Sequence, residues 1–118
     1  MGLQLAVSEK TDFRKDKKNR TVYTVTELFD FGRAGFIVGD YIENIGNQDN
    51  NTTVFVDGLE FKDAYNEMLN DLEDSKDLDI EDKSFKLAFE TLQKFVQENN
   101  ILDIKDYNER EFEVYMNY

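Results

Sequence analysis

The chain has no histidine, cysteine, tryptophan or proline among its 118 residues. Without His and Cys, the usual zinc sites, thiol nucleophiles, His-based triads and disulfide frameworks are excluded. No side chain with an ordinary pKa near neutrality is left either. No apolar run is long enough to cross a membrane. Residues 1–5, Met-Gly-Leu-Gln-Leu, lack the charged region and long apolar core of a secretion signal, so a cytoplasmic protein is expected. What remains is 40% hydrophobic, with 10 Phe and 6 Tyr, enough to bury a core despite 34% charged residues. One domain is expected at this size, with 1–58 rich in β signals and 59–118 helical.

The net charge of −12 is unevenly spread. Residues 1–58 hold seven basic and nine acidic side chains, whereas residues 59–118 hold seven and 17. Within the first part, residues 10–20 carry Lys10, Arg14, Lys15, Lys17, Lys18 and Arg20 against Asp12 and Asp16. The bulk charge argues against a general nucleic-acid or membrane binder, but the basic segment argues locally for one.

Leu3, Leu5 and Val7 alternate with Gln4, Ala6 and Ser8, the period of a half-buried strand. The polar residues 9–19 read as a loop. Residues 20–31 are rich in β-branched and aromatic side chains and read as a strand. Gly32-Arg33-Ala34-Gly35 signals a turn, and residues 36–42 read as the returning strand of a hairpin, with a bulge or a bend at Gly39. Residues 44–51 form an Asn/Gly/Asp loop before a short strand over residues 52–56.

The period then changes. Asp57 and Glu60 have capping-box spacing. Phe61, Ala64, Tyr65, Met68, Leu69 and Leu72 follow at helical spacing. After a charged connector over residues 73–82, Phe85, Ala88, Phe89, Leu92, Phe95 and Val96 give a second helix, ending near Asn99-Asn100. Phe112, Val114, Met116 and Tyr118 alternate with Glu111, Glu113, Tyr115 and Asn117, which suits a final strand or extended tail nearly as well as a helix. The order predicts an α+β protein: a small antiparallel barrel of the oligonucleotide-binding type, with helices in the C-terminal half.

A single-stranded nucleic-acid binder needs cations along the backbone path and aromatic faces for bases. Lys10, Arg14, Lys15, Lys17, Lys18, Arg20 and Arg33 are the candidate phosphate contacts. Phe13, Tyr23, Phe36 and Tyr41 are the candidate stackers. Catalysis has less to stand on. Asp40, Glu60 and Lys62 echo the acid–acid–x–Lys pattern of metal-dependent nucleases, but Glu60 is better explained as a capping partner. Asp77, Asp79, Glu81 and Asp82 lack the central Gly and ligand spacing of a calcium loop. No catalytic group, metal or cofactor is therefore expected.

In organisation the chain resembles the small single-stranded DNA-binding proteins of bacteriophages, the lactococcal type above all. The residues that carry the resemblance are the strand over 3–7, the basic segment 10–20, the strands over 21–31 and 36–42, and the aromatic C-terminus. The resemblance implies a variant oligonucleotide-binding fold that coats single-stranded DNA in replication or recombination. It also implies a homo-oligomer, with replication or recombination proteins as partners through residues 109–118. The rival expectation is an acidic inhibitor, immunity protein or DNA mimic that presents the 17 acids after residue 58 to a basic nuclease or host-defence protein.

Overall fold

The computed structural model describes residues 4–42, 45, 52–74 and 83–117. They form an α+β structure in which a four-stranded antiparallel sheet carries helices on one face. The strands are β1 (Gln4–Lys15), β2 (Thr21–Asp30), β3 (Thr52–Asp57) and β4 (Glu111–Asn117). The helices are α1 (Gly35–Asp40), α2 (Gly58–Asp74) and α3 (Lys83–Glu98). The sheet order is β2-β1-β4-β3. The ladder is not closed, because β2 pairs with β1 alone and β3 with β4 alone. The expected barrel is thus an open sheet with two edges among the described residues.

The inward face is set by alternation. Leu5 and Val7 of β1, Val54 and Val56 of β3, and Phe112, Val114 and Met116 of β4 are all buried. Against them α2 places Phe61, Ala64, Tyr65 and Met68, and α3 places Ala88, Phe89, Leu92, Phe95 and Val96. The Phe95 ring is the hub, with centroids 5.0 Å from Phe61, 5.4 Å from Phe31 and 5.5 Å from Phe29. The tilted and edge-on geometries suit the ring quadrupoles. No polar or charged side chain is buried among the described residues, so apolar burial supplies the packing.

Two expectations are corrected in full. Residues 36–42 are not a strand. After a 3-10 turn at Gly32–Ala34, entered through Gly32 at φ +56°, the chain forms α1. Gly35, Val38, Gly39, Ile42 and Ile45 are buried, at the 3–4 residue spacing of a helical face. Residues 9–19 are not a loop, since β1 runs on to Lys15 and turns directly into β2. The period was disguised by a bulge: Asp12 and Phe13 together face Tyr23, and Asp12 takes a left-handed φ of 53°.

The remaining expected helices and strands are in place. The Asp57 N–H donates to Glu60 Oε2 (2.8 Å), while Asp57 Oδ1 accepts from the Leu59 N–H (2.9 Å) rather than from that of Glu60. The C-terminal alternation is β4, an inner strand paired on both sides. The expected loop over residues 44–51 is corrected at Ile45, which is helical and buried; the rest of that stretch and residues 75–82 with their acidic run lie outside the described residues.

Gly35 packs so closely on β1 that an added Cβ would sit 2.6 Å from the Leu5 Cβ. Overpacking costs about 1–3 kcal/mol, and a glycine-to-alanine change in a helix regains at most about 1. Gly35→Ala is expected to lower the urea midpoint by the equivalent of about 1–2 kcal/mol, with an unchanged m-value.

Candidate nucleic-acid interface

The strands differ in length, and that difference builds the site. β1 pairs with β4 only from Gln4 to Glu9, while its pairing with β2 continues to Lys15↔Thr21. Beyond Glu9 no third strand among the described residues pairs with the hairpin, which projects as a two-stranded arm. At about 3.3 Å per residue the arm extends about 20 Å past the sheet. An envelope of 59 × 35 × 22 Å agrees with that projection.

The tip is held by Asp16. Its Oδ1 accepts from the Lys18 and Arg20 amides (2.9 and 2.8 Å), and its Oδ2 pairs with Arg20 Nε at 2.8 Å. The Asp16 N–H donates to the Arg20 carbonyl, and Asn19 takes φ 61°. This is the three-residue hairpin loop with a left-handed closing residue. Lys15 Nζ donates to Thr21 Oγ1 (2.7 Å), and Arg14 Nη1 donates to the Asp12 carbonyl (3.2 Å). Arg14, Lys15, Lys17, Lys18 and Arg20 are all exposed.

At the root of the arm, on the sheet face away from the helices, aromatic rings gather around one ammonium. Lys10 Nζ lies 3.8 Å from the Phe55 centroid and 4.8 Å from that of Tyr23. Tyr23 lies 5.6 Å from Phe13. Phe13 is 53% and Phe55 59% exposed. Tyr23 is tethered, its hydroxyl donating to Glu113 Oε1 at 2.8 Å. That bond, with some loss of hydration, holds the phenol above its ordinary pKa. Tyr115 and Val25 are exposed on the same face, which also carries Glu27, Glu111 and Glu113.

The expected site residues therefore divide. Lys10, Phe13, Arg14, Lys15, Lys17, Lys18, Arg20 and Tyr23 share the arm. Arg33, Phe36 and Tyr41 do not, because they follow β2 at its other end, about 30 Å away along the strand. Arg33 and Phe36 are exposed there. Tyr41 is no stacker: it is half-buried, its ring 6.2 Å from that of Phe85, and its hydroxyl donates to Asp71. Burial first, then that bond, raises its pKa.

Sequence reasoning missed Phe55, although the alternation of Val54 and Val56 already assigns Phe55 to the opposite face of β3. It missed Tyr115 for the same reason. Two members of the acid–acid–x–Lys set have structural partners. Glu60 serves the α2 cap, and Lys62 Nζ donates to the Ile104 carbonyl (2.8 Å). Among the described residues no group of three carboxylates is placed to hold a metal, and no helix is long and apolar enough to cross a membrane. Comparison with protein-family models, curated proteins and solved structures finds no match for the chain.

Asp16 accepts the Arg20 amide, then the Arg20 guanidinium and the Lys18 amide, and these bonds hold its carboxyl below the ordinary 3.8. A lowered pKa means that the turn gains stability above the unfolded value and loses it as pH falls through the folded one. An NMR titration should show Asp16 protonating below pH 3.8. Lys18 and Arg20 amide protection should be lost over the same interval, and Asp16→Ala should abolish it at neutral pH.

Proposed function

We propose that the protein binds single-stranded nucleic acid without sequence preference, through the basic arm and the rings at its root, and carries out no catalysis. The observation that carries this reading is the juxtaposition of five exposed cations on the arm with the Lys10–Tyr23–Phe13–Phe55 group. Phosphates track the arm, and bases lie against the exposed rings at its root, Phe13 above all. Glu111 and Glu113 flank Phe55 on the outer sheet face and repel phosphates there, so the backbone follows the arm and only bases reach the rings at its root. Of the expected oligonucleotide-binding type, the reading needs only a sheet face bearing aromatics, not a closed barrel. Coating of replication or recombination intermediates is the role that such binding fits.

The helical layer supports a polarity. Glu60, Asp63, Glu67, Asp71 and Asp74 recur at 3–4 residue spacing along α2 and form one acidic stripe on the helix. A strand approaching from that side is repelled, and one approaching the arm is not. The same stripe favours the second reading, an inhibitor whose carboxylates stand in for phosphates against a basic nuclease or host-defence protein.

Oligo-dT and duplex DNA titrated at several salt concentrations test the proposal. Tight, salt-sensitive binding to the single strand is expected. Replacing Lys15, Lys17 and Lys18 together with Ala should reduce the log–log salt slope by about 2, at roughly 0.7 per lost contact. Phe13→Ala should cost about 1–3 kcal/mol of affinity with the slope preserved. Arg33→Ala should leave both unchanged. Unaltered binding by the triple variant would remove the arm from the interface. No binding to any oligonucleotide, with retention of a basic nuclease that is lost when the α2 stripe is neutralised, would favour the inhibitor.

A further inference from the structure

β2 is an outer strand, with β1 on one side and no strand on the other among the described residues. Sheet edges invite pairing with another chain, and proteins protect them with short strands, Lys, Pro or bulges. Over residues 21–27, Thr-Val-Tyr-Thr-Val-Thr-Glu, β2 has no Lys, Arg or Pro. Its one inserted residue is Leu28, beyond this stretch, and the other insertion belongs to β1 at Asp12 and Phe13. Thr21, Thr24, Val25, Thr26 and Glu27 are exposed. The edge is long, regular, rich in β-branched residues and unguarded.

It is also complementary to itself. A two-fold axis normal to the sheet at Thr24 sets two copies antiparallel and matches outer face to outer face. Thr24 then faces its own counterpart, Tyr23 faces Val25, Val22 faces Thr26, and Thr21 faces Glu27. Pairs of β-branched and aromatic residues stabilise antiparallel neighbours, and like charges directly opposite destabilise them. Here the only charge in the stretch, Glu27, meets a hydroxyl. Past Thr21, the turn of each arm, with Lys17 and Lys18, runs alongside Glu27 and Asp30 of the second copy. Opposite charges thus meet at both ends of the paired segment, where local attraction offsets the repulsion between two anionic bodies.

We propose that a second copy of this chain pairs antiparallel along residues 21–27 of β2, forming one eight-stranded sheet with both helical layers on the same side. The arms then point in opposite directions across the junction. The other edge is a poorer match. β3 is shorter, and β2-to-β3 pairing between copies does not close and leads to open filaments. The β2 pairing closes on itself as a dimer. It does not rest on nucleic-acid binding, since it is argued from the free edge of β2, although Tyr23, Lys17 and Lys18 belong to both surfaces.

The absence of cysteine makes an introduced thiol a unique reporter. Under mild oxidation Thr24→Cys should form a disulfide-linked dimer quickly, because directly opposed residues in an antiparallel pair lie at bridging distance. Lys94→Cys, exposed on α3, should remain monomeric. In sedimentation equilibrium the wild-type chain should approach twice 13.9 kDa as concentration rises. Thr24→Lys combined with Thr26→Lys should stay at 13.9 kDa with unchanged circular dichroism and a melting temperature that, unlike the wild type's, does not rise with concentration. Amide exchange at residues 21–27 should be slower in the wild type than in the double-lysine variant. A wild-type chain that is monomeric at every concentration overturns the proposal. So does cross-linking of Thr24→Cys no faster than that of Lys94→Cys, or a double-lysine variant that is folded and still dimeric.

Discussion

β1 has to serve two structures at once. Its first half is the middle of the sheet, held between β2 and β4, and its second half is one side of a free ribbon. A lone two-stranded ribbon is at best marginally stable in water. The arm therefore depends on how firmly the strand is gripped where the sheet ends. That grip is Arg110. Its guanidinium meets both Glu9 carboxylate oxygens at 2.7 Å, donates to the Asn99 carbonyl and lies 5.3 Å from the Phe112 ring centroid. Hydrogen bonding to Glu9 raises the arginine pKa, so the charge is never in question. One side chain thus fastens the last three-stranded residue of β1 to the segment before β4 and to the end of α3.

Past that point the arm is stiffened by side chains on one face. Lys10 lies against Phe55 and Tyr23, Tyr23 is bonded to Glu113, and Phe13 leans on Tyr23. The bulge at Asp12 and Phe13 matters here. By inserting a residue opposite Tyr23 it turns Phe13 onto its neighbour and adds twist to the ribbon. The groups that would contact a ligand are therefore the same groups that keep the arm extended. The apolar core acts on the arm only by holding β1 and β4 in place.

How much of this the sequence discloses follows from its periods. The start of β1, β2, β3, both long helices and β4 could be read because each keeps one period over enough residues. Residues 36–42 could not be settled by alternation, because a short, nearly continuous apolar run suits a buried strand and a buried helix alike. The buried spacing of Gly35, Val38, Gly39 and Ile42 decides for the helix, but only once Leu5 is known to press on Gly35. The arm was hidden by its bulge and by its charge, which made a strand look like a solvated loop. Strand order is a further step removed. β1 pairs with β4 from the far end of the chain, and no local pattern encodes that contact, so an open sheet and a barrel look alike in sequence. For the site, residue types were legible and their company was not, which is why Arg33, Phe36 and Tyr41 were grouped with an arm about 30 Å away.

The same geometry resolves the conflict between a net charge of −12 and a basic site. Charges separated by more than the Debye length, about 8–10 Å at moderate ionic strength, are largely screened from one another. The arm tip stands about 20 Å beyond the sheet edge, and the α2 stripe from Asp63 onward belongs to the helical layer, with only Glu60 beside the Lys10–Phe55 root. An anion at Lys17 or Lys18 would therefore meet the local cations and little of the distant acids. Net charge governs the molecule's behaviour as a whole, such as its solubility and its repulsion from like-charged polymers at long range. It does not govern contact at the tip. Had the six cations been folded onto the body, the acids would have neutralised them; projection on a ribbon keeps them effective.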